Sequence, residues 1–315
     1  MECEHYGHIA VCDSAGKILA EWGDPLLPTY MRSSAKPFQA ITCLQTGAMQ
    51  AYQWTDAELA LICASHGAEP VHLETVRSIL AKAELPESAL QCGPHLPTND
   101  ACRNAMIRTG ERPTQIHSNC SGKHSGMIAT CKHAGWPIET YLQPGHPLQQ
   151  ANVATFARFA GLKKEEVLTG LDGCGVPTFL ISTAAMATAF ARLTNPANLE
   201  SRDKEAAVPV ARAMAAYPVH IAGTGQFNTQ LGEFCKSAVV AKGGAEGVFC
   251  IGLPGKNIGI AIKTSDGSAR PHPTIVIRLL QDYLSDLDWN SFDKIANPAI
   301  TNTRSEETGA IEAAF

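Results

Sequence analysis

The chain has 315 residues, 45% of them hydrophobic and 17% charged, enough to bury a large core in one domain or two intimate ones. A net charge of −5, with Lys and Arg never gathered beyond pairs such as Lys163-Lys164, excludes the basic field that nucleic-acid binding needs. No apolar run approaches the roughly 18 residues of a membrane span, and "MECEHYGHIAVCD" carries two glutamates where a signal peptide is basic, so the expectation is a cytoplasmic protein acting on a small molecule.

Eleven cysteines, an odd number, are scattered without a CxxC pair. Free thiols filling a core in a reducing compartment are therefore expected, rather than a disulfide scaffold. In chain order, "HIAVCD" and "KILAEWG" are short apolar runs joined by the turn cluster Asp13-Ser14-Ala15-Gly16, which predicts a hairpin. From about Ser34 to Tyr217 the pattern becomes helical. "FQAITCLQTG" ends on Gly47, Thr55 with Glu58 spells a capping box, and "VHLETVRSILAKAEL" has apolar residues at helical spacing. Further helices are predicted at 99–109, 123–134, 147–160, 176–192 and 202–216, with "LTNPANLESRDKE" as a polar surface loop.

The last third returns to short β-branched runs, "SAVVAKGG", "EGVFCIGLP" and "NIGIAIKTSDG", before an amphipathic helix over roughly 274–287. This order predicts an α+β fold. Its antiparallel sheet of about five strands is built from both chain ends (about 1–32 and 218–315), with the helical section of about 33–217 inserted between strands two and three.

Four stretches could carry chemistry. In "MRSSAKPFQA", Pro37 is tolerated only in a first helical turn, so a helix begins near Ser33 or Ser34. Ser33 and Lys36 then stand three apart on one face, an S-x-x-K pair in which a lysine of depressed pKa could serve as base for a serine nucleophile. An N-cap serine followed by a solvated lysine fits the same residues. In "ICASHGAEP", Ser65-His66-Gly67 ends an apolar run and could bring a second hydroxyl to a pocket, or simply close a helix. In "SAVVAKGGAEGVFC", Lys242-Gly243-Gly244 ends a buried strand in the chain context of the K-T-G strand of penicillin-recognising serine acyl-enzymes, although a glycine-rich turn explains it too. "HSNCSGKHSG" and "GLDGCGVP" place Cys120, Lys123, His124, Asp172 and Cys174 in turns where two thiolates and a nitrogen could bind zinc. Residue types favour His124 as that nitrogen, since a lysine must lose its proton first, and buried free thiols are the alternative.

"MRSSAKPFQA", "CASHG", "SNCSGKHSGM", "LDGCGVP" and "AKGGAEGV", in this order over roughly residues 30 to 250, resemble the rhizobial-type asparaginase II family. Its members hydrolyse L-asparagine to aspartate and ammonia on a fold similar to serine β-lactamases and class A glutaminases. The resemblance implies two serine-lysine pairs, Ser33 with Lys36 and Ser65 with Lys242. It also implies a zinc site of Cys120, Lys123 and Cys174, with Lys123 in place of His124, and a homodimer. Arg32, His66, His124, Asp172 and Gly244 are implied to line or brace the pocket or bind substrate. Two rivals remain. A penicillin-recognising hydrolase or esterase would need an S-x-N element, which Ser65-His66-Gly67 and Ser118-Asn119-Cys120 match poorly, and a sensor module would hold an amino acid without turnover.

Overall fold

The computed structural model describes residues 2–315. The first hairpin pairs β1 (Gly7–Cys12) with β2 (Ile18–Trp22). Asp13 ties its turn, its carboxylate accepting the N–H groups of Ala15 and Lys17 at 2.9 Å each. Next come β3 (Pro28–Tyr30), β4 (Leu168–Leu171) and β5 (Pro177–Ser182), which form a separate antiparallel sheet in the order β3-β5-β4. The chain rejoins the first hairpin as β6 (Val240–Gly244), β7 (Val248–Leu253) and β8 (Ile258–Thr264). The main sheet is thus five antiparallel strands in the order β2-β1-β8-β7-β6, with the helical section between its second and third strands in the chain. The α+β class and the sheet built from both ends are as expected.

Several local expectations are corrected. The helix predicted over 176–192 begins only at Thr183, because "PTFLIS" is aromatic and β-branched and pairs on both edges as β5. Ser182 then caps the Thr183–Thr194 helix through the Ala185 N–H at 3.2 Å. The predicted loop over 193–205 holds that helix's last turn, a short 3₁₀ turn at Pro196–Asn198 and the start of the Ser201–Ala216 helix. The final amphipathic helix runs His272–Tyr283, and an exposed hairpin of β9 (Ala299–Thr301) and β10 (Glu307–Ala310) follows it.

The period of two along the strands divides the core into layers. Ile9, Val11, Ala241, Phe249, Ile251, Ile260 and Ile262 face the His272–Tyr283 helix through Val276, Ile277 and Leu280. Ala10, Cys12, Val240, Cys250 and Ala261 face the helical section. These residues are small, and the Thr183–Thr194 helix lies close upon them: a Cβ at Gly259 would stand 1.9 Å from the Ala187 carbonyl oxygen. In step with Val240, Lys242 also points into the helical section, and this alternation is what delivers its amine to the site.

Candidate active site

The site is built where β6 meets two turns of the helical section. A 3₁₀ turn at Arg32–Ala35 runs into the Lys36–Gln45 helix, with Pro37 in its first turn. Ser34 is fully buried and its Oγ donates to the Lys242 carbonyl at 2.8 Å, tying the turn to the strand. Gly244 permits this approach, since a Cβ there would lie 2.9 Å from the Met31 carbonyl oxygen. Ser33, partly exposed, is left with an uncommitted hydroxyl among the described residues. Arg32, just before it, has φ of 51°, an unusual left-handed conformation for a side-chain-bearing residue.

Ser65 follows the Asp56–Ile62 helix, whose N-terminus carries the expected Thr55/Glu58 capping box. Its N–H donates to the Ile221 carbonyl at 2.9 Å and the His66 N–H to the Asn119 carbonyl at 3.1 Å, so the loop is clamped from both sides. Lys36 Nζ donates to Ser65 Oγ at 2.8 Å and also to the Ala64 carbonyl. Lys242 Nζ lies 2.9 Å from the same Oγ and 2.7 Å from the Gly243 carbonyl oxygen.

This geometry differs from two separate serine-lysine pairs. The S-x-x-K spacing assumes one continuous α-helix, whereas Ser33 sits in the 3₁₀ turn and Lys36 opens the α-helix, so the lysine stem reaches across to the Ser65 loop. The lysines are only 1% and 2% exposed. Burial above all, and then the neighbouring Lys36 charge, push Lys242 down to about 7. Near neutral pH, Ser65 Oγ can therefore accept from one amine and give its proton to the other.

A sulfur cluster stands nearby. Cys120 caps the Ser121–Ala134 helix, Lys123 lies in its first turn, and Cys174 sits in the turn following β4. Lys123 Nζ donates to Cys174 Sγ at 2.9 Å. The hydrogen bond from the Cys120 thiol, with the Lys123 charge working against burial, pulls Cys174 down to about 4, and the same bond followed by burial pushes Cys120 up to about 12. Despite burial, the two sulfurs and Asp172 hold Lys123 above its ordinary value. Among the described residues no three His, Cys, Asp or Glu side chains gather as a metal site, so an ion here would need the lysine as its third donor. A ready thiolate, a second thiol and an amine in one buried cluster are nevertheless a donor set that fits zinc.

Asp172 accepts from Arg32 Nε at 2.7 Å, which joins the sulfur turn to the Ser33 turn. Against burial, Lys123 and Arg32 keep its carboxyl below the usual range. His66 spends both ring nitrogens on structure: Nδ1 accepts the Ala68 N–H at 3.2 Å, which leaves Nε2 to donate to Ser121 Oγ at 2.9 Å. It braces the Ser65 loop. His124 bonds Tyr141 Oη through Nδ1 and is pushed down to about 3, chiefly by burial and then by Lys123, while its Nε2 is buried without a partner.

Tyr141 and Asn228, whose Oδ1 accepts the Gly243 N–H at 3.2 Å, were not singled out from the sequence. Neither lies in a local motif, and no spacing announces a contact made across the fold.

A half-buried hydroxyl shared by two buried amines, on an antiparallel α+β scaffold, is the equipment of a hydrolase rather than of a purely structural polar core. The chain belongs to the L-asparaginase II family, whose sequence model matches residues 1–313 and which places it among amide hydrolases. No curated protein matches it. Among solved structures, native Mglu is 14% identical with a TM-score of 0.41, covering 95% of this chain and 66% of its own, so this chain spans just under two thirds of Mglu. A β-lactamase from Mycobacterium bovis is 17% identical with a TM-score of 0.45, covering 88% of this chain and 94% of its own. A Bacillus glutaminase is 15% identical with a TM-score of 0.41, covering 88% and 91%. At these TM-scores the likenesses carry no conclusion about the site. No helix among the described residues is long and apolar enough to cross a membrane.

Proposed function

We propose that the protein is an L-asparaginase, hydrolysing L-asparagine to L-aspartate and ammonia through a serine acyl-enzyme. The observation that carries this reading is the half-buried Ser65 hydroxyl held by Lys36 and Lys242, with Ser33 in the turn that leads into Lys36, in a chain of the L-asparaginase II family. Ser33 Oγ attacks the side-chain amide carbon of asparagine. Its proton passes into the Lys36, Ser65 and Lys242 set, where Lys242, near neutral, is the acceptor. The carbon–nitrogen bond breaks, the leaving nitrogen takes up the proton and departs as ammonia, and water hydrolyses the β-aspartyl ester. Backbone N–H groups at the Ser33 turn or beside Gly244 supply the oxyanion donors. Arg32 is the natural partner for the substrate carboxylate.

Cys120, Lys123 and Cys174 would hold zinc, and the bound ion would supply positive charge that orients the amino-acid head group or holds the loops. The reading extends to a cytoplasmic homodimer. Tyr30, Leu168 and Leu171, exposed on the small sheet, are a surface such a dimer could cover, and sedimentation analysis checks the assembly.

Two lysines on Ser65 favour one variant of the mechanism, in which Ser65 is the nucleophile and Ser33 assists. Acid-quenched mass spectrometry with Ser33→Ala and Ser65→Ala separates them. With Ser33 as nucleophile, Ser33→Ala loses the aspartyl adduct and at least about a thousandfold in ammonia release, and Ser65→Ala retains a slowly formed adduct on Ser33. Near-normal ammonia release by Ser33→Ala would sink the assignment, and β-lactam turnover without asparagine turnover would sink the asparaginase reading itself.

A further inference from the structure

The β6–β7 turn brings a carboxylate to the site that neither the resemblance nor the mechanism above uses. Glu246 stands at its tip with φ of 60°, beside Gly247 at φ of 70°. Its backbone is pinned: Lys263 Nζ donates to the Glu246 carbonyl and to that of Thr264, and the Thr264 N–H donates to the Gly247 carbonyl at 2.8 Å. A side-chain-bearing residue is held left-handed here, a conformation such residues rarely adopt. The carboxylate itself is not buried in a structural bond, since its side chain is 70% exposed.

Its neighbour is Arg32. Glu246 Oε1 lies 3.9 Å from Arg32 Nη1, an ion pair too long for a hydrogen bond, while Arg32 Nε is already taken by Asp172 at 2.7 Å. Asp172 is spent on structure, its Oδ1 accepting from Arg32 Nε at 2.7 Å and from the Gly173 N–H at 2.9 Å. Glu246 is the carboxylate that is free to receive a cation. It lies on the same hairpin as Lys242, four residues on, within about 14 Å of chain even if fully extended. Arg32 immediately precedes Ser33 and Glu246 follows Lys242 on the same hairpin, so both charges sit on the elements that carry the residues proposed to react.

A free α-amino acid carries one cation and one anion on adjacent atoms. An arginine with unoccupied Nη groups, facing a free carboxylate at 3.9 Å, offers the complementary pair in the same order. We propose that Glu246 is the specificity-determining residue that receives the α-ammonium group of the substrate while Arg32 takes its α-carboxylate. The inference rests on the amidase reading. It explains why the turn holds a glutamate at positive φ with an uncommitted head, and it restricts the substrates to amides of free α-amino acids. A site that pairs a substrate cation discriminates strongly against the analogue lacking it.

The test compares asparagine with succinamate, the same amide without the α-amino group, and the product L-aspartate with succinate, in the purified protein and in Glu246→Gln. Turnover is read as ammonia release and binding by calorimetry. Loss of one charge-assisted hydrogen bond predicts that Glu246→Gln lowers kcat/KM for asparagine, and affinity for aspartate, by about tenfold or more. Values for succinamate and succinate change less than about twofold, because those ligands present no ammonium group for the carboxylate to pair with. Equal losses on both members of either pair, or no loss on either, would overturn the proposal. If the wild-type protein binds aspartate over succinate through Glu246 yet releases no ammonia from asparagine, hydrolysis is what fails and the amino-acid clamp stands.

Discussion

Lys242→Met offers the most searching test of the site, because one substitution has opposite consequences for stability and activity. The amine is 2% exposed and shares Ser65 Oγ with a second lysine. In the folded protein it titrates at about 7, against 10.5 for an ordinary lysine. Between those values the folded state holds the neutral amine while the unfolded chain is protonated, so unfolding takes up a proton and stability rises with pH across this window. Below pH 7 the full penalty of the buried lysine is present; above 10.5 it is gone. At about 1.4 kcal/mol per pH unit the window sets an upper limit near 5 kcal/mol, and because the buried amine relaxes with its surroundings we expect about 2–4 kcal/mol.

Methionine of similar length removes the titration and keeps most of the packing. The variant should therefore be more stable than wild type at pH 6, with the difference nearly constant up to about pH 7 and shrinking from there to pH 9, while ammonia release falls by about 10²–10⁴. Urea midpoints for both proteins at pH 6, 7, 8 and 9 under reducing conditions give the comparison, in which the titrations of other groups cancel. A stability difference independent of pH would refute the depressed lysine, and with it the role of Lys242 as acceptor.

Gly259→Ala forces a methyl group to within 1.9 Å of the Ala187 carbonyl oxygen, and both partners are backbone that cannot step aside. Thermal denaturation should show a loss of at least about 3 kcal/mol, and a variant within 1 kcal/mol of wild type would contradict the packing of the Thr183–Thr194 helix on β8. Cys174→Ser removes the one sulfur held as a thiolate by Cys120 and Lys123. Metal analysis and zinc calorimetry should show loss of the ion with the far-ultraviolet circular dichroism preserved; stoichiometric zinc in the variant would exclude this cluster as the metal site.

Much of this protein is legible in short stretches. The Asp13 turn, the Thr55/Glu58 capping box and the Pro147–Ala160 helix depend on contacts within a few residues, so periodicity and cap chemistry locate them. The second sheet was not legible, because its strands are short, one of β5's two partners, β3, lies about 150 residues earlier, and "PTFLIS" flows without a break into a helix. At the site, residue types and neighbourhoods named Ser33, Lys36, Ser65, Lys242, Cys120 and Cys174 as candidates with His124 as the nitrogen donor, and only the family resemblance put Lys123 in its place.

Which of them touch was decided elsewhere. Lys36 reaches Ser65, 29 positions away, because the Ser65 loop is clamped between Ile221 and Asn119, and Lys242 joins them because strand alternation turns it toward the helical section. Charge states follow the same division. An amino-acid sequence tells which groups can ionise, but the burial and the neighbouring lysine that bring Lys242 near neutrality, like the thiol and ammonium that hold Cys174 as a thiolate, exist only once distant segments pack together.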